Sequence, residues 1–454
     1  MPTELPLLAL FHARLGDSRL AEFESVWTRM APSEVDWCWD DRPLTLHGGD
    51  VGPRVIQWLP PLPRSHHGWL ADTAAHCVAC RGVFEVWGQG DTLAECAADA
   101  ARIPAAHIRA RVRGSWRVES VVLGARRSGL AMDLGERMAH FGPVLDALED
   151  RLVSLKAPEH RIWLVEDRQH LRGDSQRISD PPPRHLLLFE LVASRPPARM
   201  WLQELALSKR AFLSTSTLAV DRALMMCNLA LSGVAEEGGT LLDPYCGSGG
   251  ILLAAAALGA QTVGSDLDWR LVSDNPWPVR IPASVDRPQR GVEAVRMRDN
   301  FDEAGLLPPR ALLVLDVGAE EAAARLRGAN GGRDYDALVC DPPYGRREFQ
   351  RGDRPWRGEL TFRVSEAALA STLDNLIRLA ADTLRSGGRL VFLVPVRAPK
   401  DATKPTPAAL ELLLQEQGSR WGLELIHLGV EVVHSGLHRA VVVMSRGNEG
   451  PPAV

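Results

Sequence analysis

Short apolar runs that end on an aspartate recur through the C-terminal half of this chain, with stretches of helical period between them. GTLLDPYCGSG, TVGSDLD, ALLVLDVG (311–318), DYDALVCDPPYG and GGRLVFLVPV (387–396) read as buried strands. DRALMMCNLAL (221–231) and GILLAAAALGA (250–260), the latter stopping at Gly259, read as helices. Alternation of this kind predicts an α/β fold with a doubly wound parallel sheet. Near the C-terminus VEVVHSG and HRAVVVMSR predict a hairpin that closes one edge of that sheet. NPWPVRIPASVDRPQRG (275–291) is expected to be a loop inserted after the second strand.

The first half is patterned differently. LPLLALFHA (5–13), VIQWLP (55–60), CRGVFEVWGQG (80–90), WRVESVVLG (116–124) and RIWLVED (161–167) read as strands. LAEFESVWTRM (20–30) and DTLAECAADAARI (91–103) read as helices, the second with Asp91 as its N-cap. Together they suggest a smaller α+β unit. LRGDSQRISDPPPR (171–184) has the composition of a linker, after which HLLLFELVA is expected to begin a second region.

A length of 454 residues calls for two or three domains. The 45% apolar and 24% charged content is that of a globular protein. No apolar run approaches the ~18 residues that span a bilayer. The N-terminal stretch reads as a buried strand and not a signal peptide. Seven irregularly spaced cysteines fit a reducing compartment, here the cytoplasm. Cys77 and Cys80 form one C-x-x-C without a second pair, so no metal site is expected.

A net charge of −5 excludes a polyanion binder held by bulk charge. Its distribution is uneven: seven arginines and one acid, Glu119, lie between Arg102 and Arg127. That stretch is either a phosphate-contacting face or an ordinary solvated one. With only four lysines in the chain, arginine is the default cation here.

The aspartates carry the chemistry. In LLDPYCGSGGILLA a strand delivers Asp243 to a turn with glycines at 247, 249 and 250, followed by a helix. Glycine lets backbone approach a ligand. The spacing is that of neither a phosphate loop nor a dinucleotide fingerprint. An aspartate in that place suits a ligand with an ammonium group. Asp266, ending the next strand, can accept from ribose hydroxyls, and Asp316, ending a third, from an adenine amine. A ligand with an amine, a ribose and an adenine but no required phosphate is so outlined, and S-adenosylmethionine fits it. Asp341-Pro342-Pro343-Tyr344 follows a fourth strand. Proline carbonyls and the Asp341 carboxylate make a wall of acceptors for the two N–H groups of a base amine, and Tyr344 offers a face for stacking. Holding those protons turns the nitrogen lone pair toward an electrophilic methyl, and Asp341 is placed to take the proton released.

TST (Thr215, Ser216, Thr217), DPYCGSGG, GSDLD, Asn300-Phe301 and DPPYG, in that order, resemble the amino-methyltransferases of nucleic-acid bases. More closely the chain resembles the catalytic subunits of the tRNA guanosine-10 N2-methyltransferases. FEVWGQGDTLAEC, KAPEHRIWLVED, LSKRAFLSTST and GSDLDWRLVSD are similar to their counterparts there, and the likeness covers most of residues 5 to 446. The resemblance implies a ferredoxin-like region (1–70), a THUMP RNA-binding domain (71–170), a linker (171–198), a Rossmann-like methyltransferase domain (199–446) and a tail (447–454). It implies that Thr215, Ser216, Thr217, Asp243, Tyr245, Gly247, Gly249, Asp266 and Asp316 hold S-adenosylmethionine. Asp341, Pro342, Pro343 and Tyr344 would hold the guanine. It further implies tRNA as substrate and a small zinc-binding activator protein as heterodimer partner, with no membrane attachment. The chain departs from its relatives at Tyr245-Cys246-Gly247-Ser248-Gly249, where they often have Phe-Val-Gly-Thr-Gly. It departs again at Arg346, and in the Pro-rich loops 275–291 and 398–408. The other readings of the same residues are an amino-methyltransferase of adenine N6 or of another base in RNA or DNA, and an inactive RNA-binding scaffold.

Overall fold

The structure is a computed structural model that describes residues 5–12, 18–31, 56–123, 133–168, 184–194, 198–214, 217–234, 239–273, 296–343, 366–396, 406–434 and 437–448. It divides into two units, and neither is one continuous stretch of chain: Met1–Ala13, Asp36–Ala75 and Cys80–Pro196 form the first, Arg14–Val35, His76–Ala79 and Pro197–Val454 the second.

The first unit is built on a six-stranded sheet. Its strands are β1 (Leu7–Phe11), β2 (Ile56–Trp58), β3 (Cys80–Gly90), β4 (Trp116–Leu123), β5 (His160–Asp167) and β6 (Arg184–Glu190), in the order β2-β1-β3-β6-β5-β4. Only β4 and β5 run parallel, in register from Trp116 opposite His160 to Leu123 opposite Asp167. One face buries Leu8, Leu10, Phe84, Val86, Val165 and Leu188. On β3, a Cβ at Gly88 or Gly90 would come within 2.5 or 2.6 Å of the backbone of Cys96, so bare glycines let the helix Leu93–Ala100 lie against the strand. That helix is capped by Thr92, not by Asp91 as expected. Thr92 accepts from the Glu95 amide, and Glu95 reaches back to the Thr92 and Asp91 amides. A second difference concerns residues 171–198. Arg184–Glu190, read as part of a linker and the start of a new region, is instead β6, paired with β3 and β5 inside the first sheet.

The second unit has a seven-stranded sheet. Its strands are β7 (Thr240–Asp243), β8 (Gln261–Asp266), β9 (Ala311–Val314), β10 (Tyr335–Cys340), β11 (Leu384–Val396), β12 (Leu423–His434) and β13 (Leu437–Arg446). The order is β12-β13-β11-β10-β7-β8-β9. β11, β10, β7, β8 and β9 are parallel, and β13 and β12 close the edge antiparallel, as the sequence pattern predicts. The central strands are mostly apolar and buried, as in a parallel sheet covered by helices on both faces. Leu242, Leu338, Phe392, Val394, Leu373 and Ile377 are among the buried side chains of its core.

The order places the ligand crevice. From β7 the chain steps outward to β8 and β9, then returns to the other side of β7 to form β10. Ligands of open α/β sheets bind beyond the carboxyl ends of the strands where the order reverses. Here those strands are β7 and β10, the ones that end at Asp243 and before Asp341.

The helix Ser18–Met30 belongs to this second unit. Its Glu22 is fully buried and accepts from the amides of Val78 and Ala79 at 2.9 Å each and from Asn228 Nδ2 at 2.8 Å. Asn228 lies on the helix Val220–Ala230 and also donates to the His76 carbonyl at 2.9 Å.

Candidate active site

All four residues of β7 are buried, and Asp243, its last, is 1% exposed. Asp243 Oδ1 accepts from the Tyr245 amide at 3.1 Å, which starts the turn. The turn is then stitched to β8. The Cys246 amide donates to the Ser265 carbonyl at 2.9 Å, Ser265 Oγ to the Pro244 carbonyl at 3.1 Å, and the Gly247 amide to Asp266 Oδ2 at 2.9 Å.

Two of the glycines are required for different reasons. Gly247 and Gly249 have φ of 53° and 80°, in the left-handed region that disfavours a side chain. A Cβ at Gly249 would also lie 2.7 Å from Met297 Sδ, so the packing side of the turn is closed. At Gly247 a Cβ would meet none of the described atoms within 4 Å, which leaves that side open to a ligand.

Asp266 ends β8 as expected, and its other oxygen accepts from the Asp268 amide at 2.9 Å. A carboxylate has about four acceptor sites, so two such bonds fix its orientation and leave capacity for ribose hydroxyls. Asp316 is placed otherwise than the pattern suggests. β9 stops at Val314, and Asp316 sits in the following turn, accepting from the Gly318 amide at 2.9 Å. The turn still approaches the site, since the Leu315 amide donates to the Asp266 carbonyl at 3.0 Å.

Asp341 directly follows β10, with Pro342 buried and Pro343 half-buried. Leu338 on β10 is level with Leu242 on β7, so Asp341 and Asp243 project from neighbouring strand ends. Burial, joined by the charges of Asp266 and Asp341, pushes the Asp243 carboxyl well above the ordinary carboxylate range, against the opposing Tyr245 hydrogen bond. Burial also raises Asp266. The phenol of half-buried Tyr245 is pushed up by burial and then by the charges of Cys340 and Asp316. Three carboxylates thus converge on the crevice.

The segment that carries Thr217, expected from the resemblance, packs over the same turn, and within it Phe212 and Arg210 are not singled out by the sequence. Asn300, on the helix Met297–Ala304, accepts from the Phe212 amide at 2.9 Å and donates to the Phe212 carbonyl at 2.8 Å. Further along, the Thr217 hydroxyl meets Ser248 Oγ at 3.0 Å and donates to the Ser214 carbonyl at 3.2 Å. Two residues before Phe212, Arg210 is 3% exposed and its Nε donates to the Leu205 carbonyl at 3.1 Å. The only local signal for Arg210 is its place in LSKRAFL, where it follows Lys209 and precedes the apolar run Ala211-Phe212-Leu213. Thr215, Ser216, Tyr344, Arg346 and nearly all of the two Pro-rich loops lie outside the described residues.

Comparison with known proteins agrees with this geometry. The family model described as RMKL-like, methyltransferase domain matches residues 208–356, which hold the turn, Asp266, Asp316 and Asp341. A protein of Pongo abelii named tRNA (guanine(10)-N(2))-methyltransferase TRMT11 is 24% identical over 82% of this chain and 79% of its own length. Its namesake from Rattus norvegicus is 27% identical over 58% of this chain and 56% of its own length. The tRNA (guanine(10)-N(2))-methyltransferase of Saccharomyces cerevisiae is 23% identical over 71% of this chain and 72% of its own. The chain therefore carries, over residues 208–356, a segment that matches the RMKL-like methyltransferase domain, and it is similar over most of its length to the tRNA (guanine(10)-N(2))-methyltransferases.

Proposed function

We propose that this protein transfers a methyl group from S-adenosylmethionine to the exocyclic N2 amine of guanosine 10 in tRNA. The observation that carries the reading is the position of Asp341-Pro342-Pro343 one strand away from Asp243, at the point where the sheet order reverses. The relatives' shared name supports the choice of base and RNA.

The residues fit the donor. When bound, S-adenosylmethionine supplies an electrophilic methyl group and carries positive charge on its sulfur and amino group. Asp243 offers a carboxyl that a cation would return to its ionised form, since burial and two neighbouring acids oppose its charge. Asp266 is oriented for ribose hydroxyls by the Gly247 and Asp268 amides. Asp316 is held in a turn beside it, suited to an adenine amine. Thr215, Ser216 and Thr217 belong to the segment that Ser248 ties to the Gly-rich turn through Thr217.

On the substrate side, Asp341 and the carbonyls beside Pro342 and Pro343 accept the two N–H bonds of the guanine amine, while Tyr344 stacks on the base. Orientation does most of the work, because the amine is a weak nucleophile only while its lone pair is delocalised into the ring. Asp341 then accepts the proton that the nitrogen must lose.

The remaining assignments follow the same reading. Residues 1–70 and 71–170 serve as ferredoxin-like and THUMP regions that capture tRNA, a small zinc-binding activator pairs with the chain, and the enzyme works in the cytoplasm. No helix among the described residues is long and apolar enough to cross a membrane. The basic stretch divides on inspection. Arg111 pairs with buried Glu85 and Arg117 with Glu119, and exposed Arg102 pairs with Asp99 at 3.3 Å, so the exposed Arg109 and Arg113 are the better candidates for phosphate contacts.

The test is methyl transfer to unmodified tRNA, with and without the zinc-binding partner, followed by nucleoside mass spectrometry. N2-methylguanosine at position 10 is the expected product. A methylated adenosine or cytidine would overturn the substrate and keep the donor site. Donor binding without any product, with the partner present, would favour a scaffold.

A further inference from the structure

We infer that Arg210 binds the carboxylate at the amino-acid end of the methyl donor, against the amino end of the helix Gly250–Ala257. The inference rests on the reading of the site as a methyl-donor site.

Arg210 is 3% exposed. Its Nε is satisfied by the Leu205 carbonyl, but Nη1 and Nη2 are buried and find no hydrogen-bond partner among the described residues. A Cβ built on Gly250 would lie 3.2 Å from Arg210 Nη1 and 3.8 Å from Thr217 Cγ2. The guanidinium therefore faces the first residue of that helix with no side chain between them. Burial lowers its pKa to about 10, which leaves it charged at neutral pH.

A buried guanidinium with two unsatisfied nitrogens is costly unless an anion meets it. The amino end of that helix, whose first residue the guanidinium approaches, adds unsatisfied N–H groups and a positive partial charge. Both favour a negative group, and the planar pair of Nη donors matches the two oxygens of a carboxylate. Across the same turn, Asp243, Asp266 and Asp341 favour a positive group. The Gly-rich turn thus separates an anion-seeking end from a cation-seeking end. An α-amino acid presents those two charges on adjacent groups, and the donor's methionine end is one. Arg210 is held in place by the Asn300 clamp on Phe212, two residues away.

The test is titration calorimetry on the full-length protein with two ligands, S-adenosylhomocysteine and its decarboxylated analogue. The unaltered protein should bind the carboxylate-bearing ligand at least about 30-fold more tightly, the scale for losing one partner of a buried, hydrogen-bonded charge pair. In Arg210→Gln that preference should collapse, with S-adenosylhomocysteine weakened by a similar factor and the analogue little changed. Arg210→Lys should restore part of it. Equal affinity of the unaltered protein for the two ligands would overturn the assignment, and this comparison needs no variant to fold. Equal weakening of both ligands in Arg210→Gln would make Arg210 a structural residue and overturn it too. If the unaltered protein bound neither ligand, the methyl-donor reading itself would fail, an outcome distinct from either of these.

Discussion

Asn300 grips the backbone of Phe212 from both sides, accepting its amide proton and donating to its carbonyl. Such a pair mimics a strand ladder with a single side chain. It fixes the segment that carries Arg210 and Thr217 over the Gly-rich turn. Asn300→Ala leaves a buried amide and carbonyl unsatisfied, a cost of about 1–3 kcal/mol for each group so exposed. Thermal unfolding should show that loss, and calorimetry should show donor affinity falling by about tenfold, since roughly 1.4 kcal/mol of ordering would be withdrawn from the site. Unchanged affinity in a folded variant would mean that the segment does not contribute to the donor site.

A pH dependence follows from Asp243. Its carboxyl is raised by burial, then by Asp266 and Asp341, so the folded protein holds this proton more tightly than the unfolded chain does. The stability this contributes is fully present below the unfolded value, about 3.9, and is lost as pH rises through the folded pKa. Ligand-free protein should therefore lose melting temperature across that rise, and Asp243→Asn should lose less. Binding of the cationic donor should release protons in the same window, read as a dependence of binding heat on the ionisation heat of the buffer. An Asp243→Asn variant with the same pH profile as the unaltered protein would refute the assignment.

Asp341 is separable from the donor site. Asp341→Ala should abolish methyl transfer while donor affinity stays within about a few fold, because its proposed partner is the base amine. Single-turnover transfer and calorimetry on the same preparation measure the two effects. Near-normal turnover would rule out the acceptor wall.

Gly249→Ala tests the closed side of the turn. It places a side chain at φ 80° and 2.7 Å from Met297 Sδ. The backbone conformation alone costs about 1–2 kcal/mol. Met297→Ala in the same chain should relieve the collision but not the backbone term, so the double variant should recover only part of the lost stability in chemical denaturation.

Much of the site was legible because a parallel sheet writes its strands as unbroken apolar runs, and the polar residue that ends a run marks the carboxyl edge. Asp243, Asp266 and Asp341 were found that way. Asp316 was displaced by two residues because β9 is an edge strand with half-exposed side chains, so its apolar pattern does not mark where pairing stops. Asp91 and Thr92 are both good capping types, and only geometry shows which one reaches the Glu95 amide. Strand β6 reads as linker and the start of a new region in the sequence because its partners lie as far away as β3, where Phe84 pairs with Glu190. No local pattern records such a pairing. Arg210 was missed for a related reason: its environment comes from residues 205 and 250, which its own neighbours in sequence do not reveal.

The helix Ser18–Met30 has a consequence for how the protein comes into being. Glu22 meets the Val78 and Ala79 amides 56 and 57 residues further along the chain, but Asn228 only 206 residues further along. Ser25 meets Arg389 later still. During synthesis the helix Ser18–Met30 therefore waits for its partners in the catalytic unit, while β1, β2 and β3 can already pair. A fragment cut at residue 199 to isolate the catalytic domain would leave Asn228 without Glu22 and Arg389 without Ser25. The second unit is consequently three stretches of chain, and a truncation that begins at residue 199 should be insoluble unless the helix Ser18–Met30 and residues 76–79 are supplied with it.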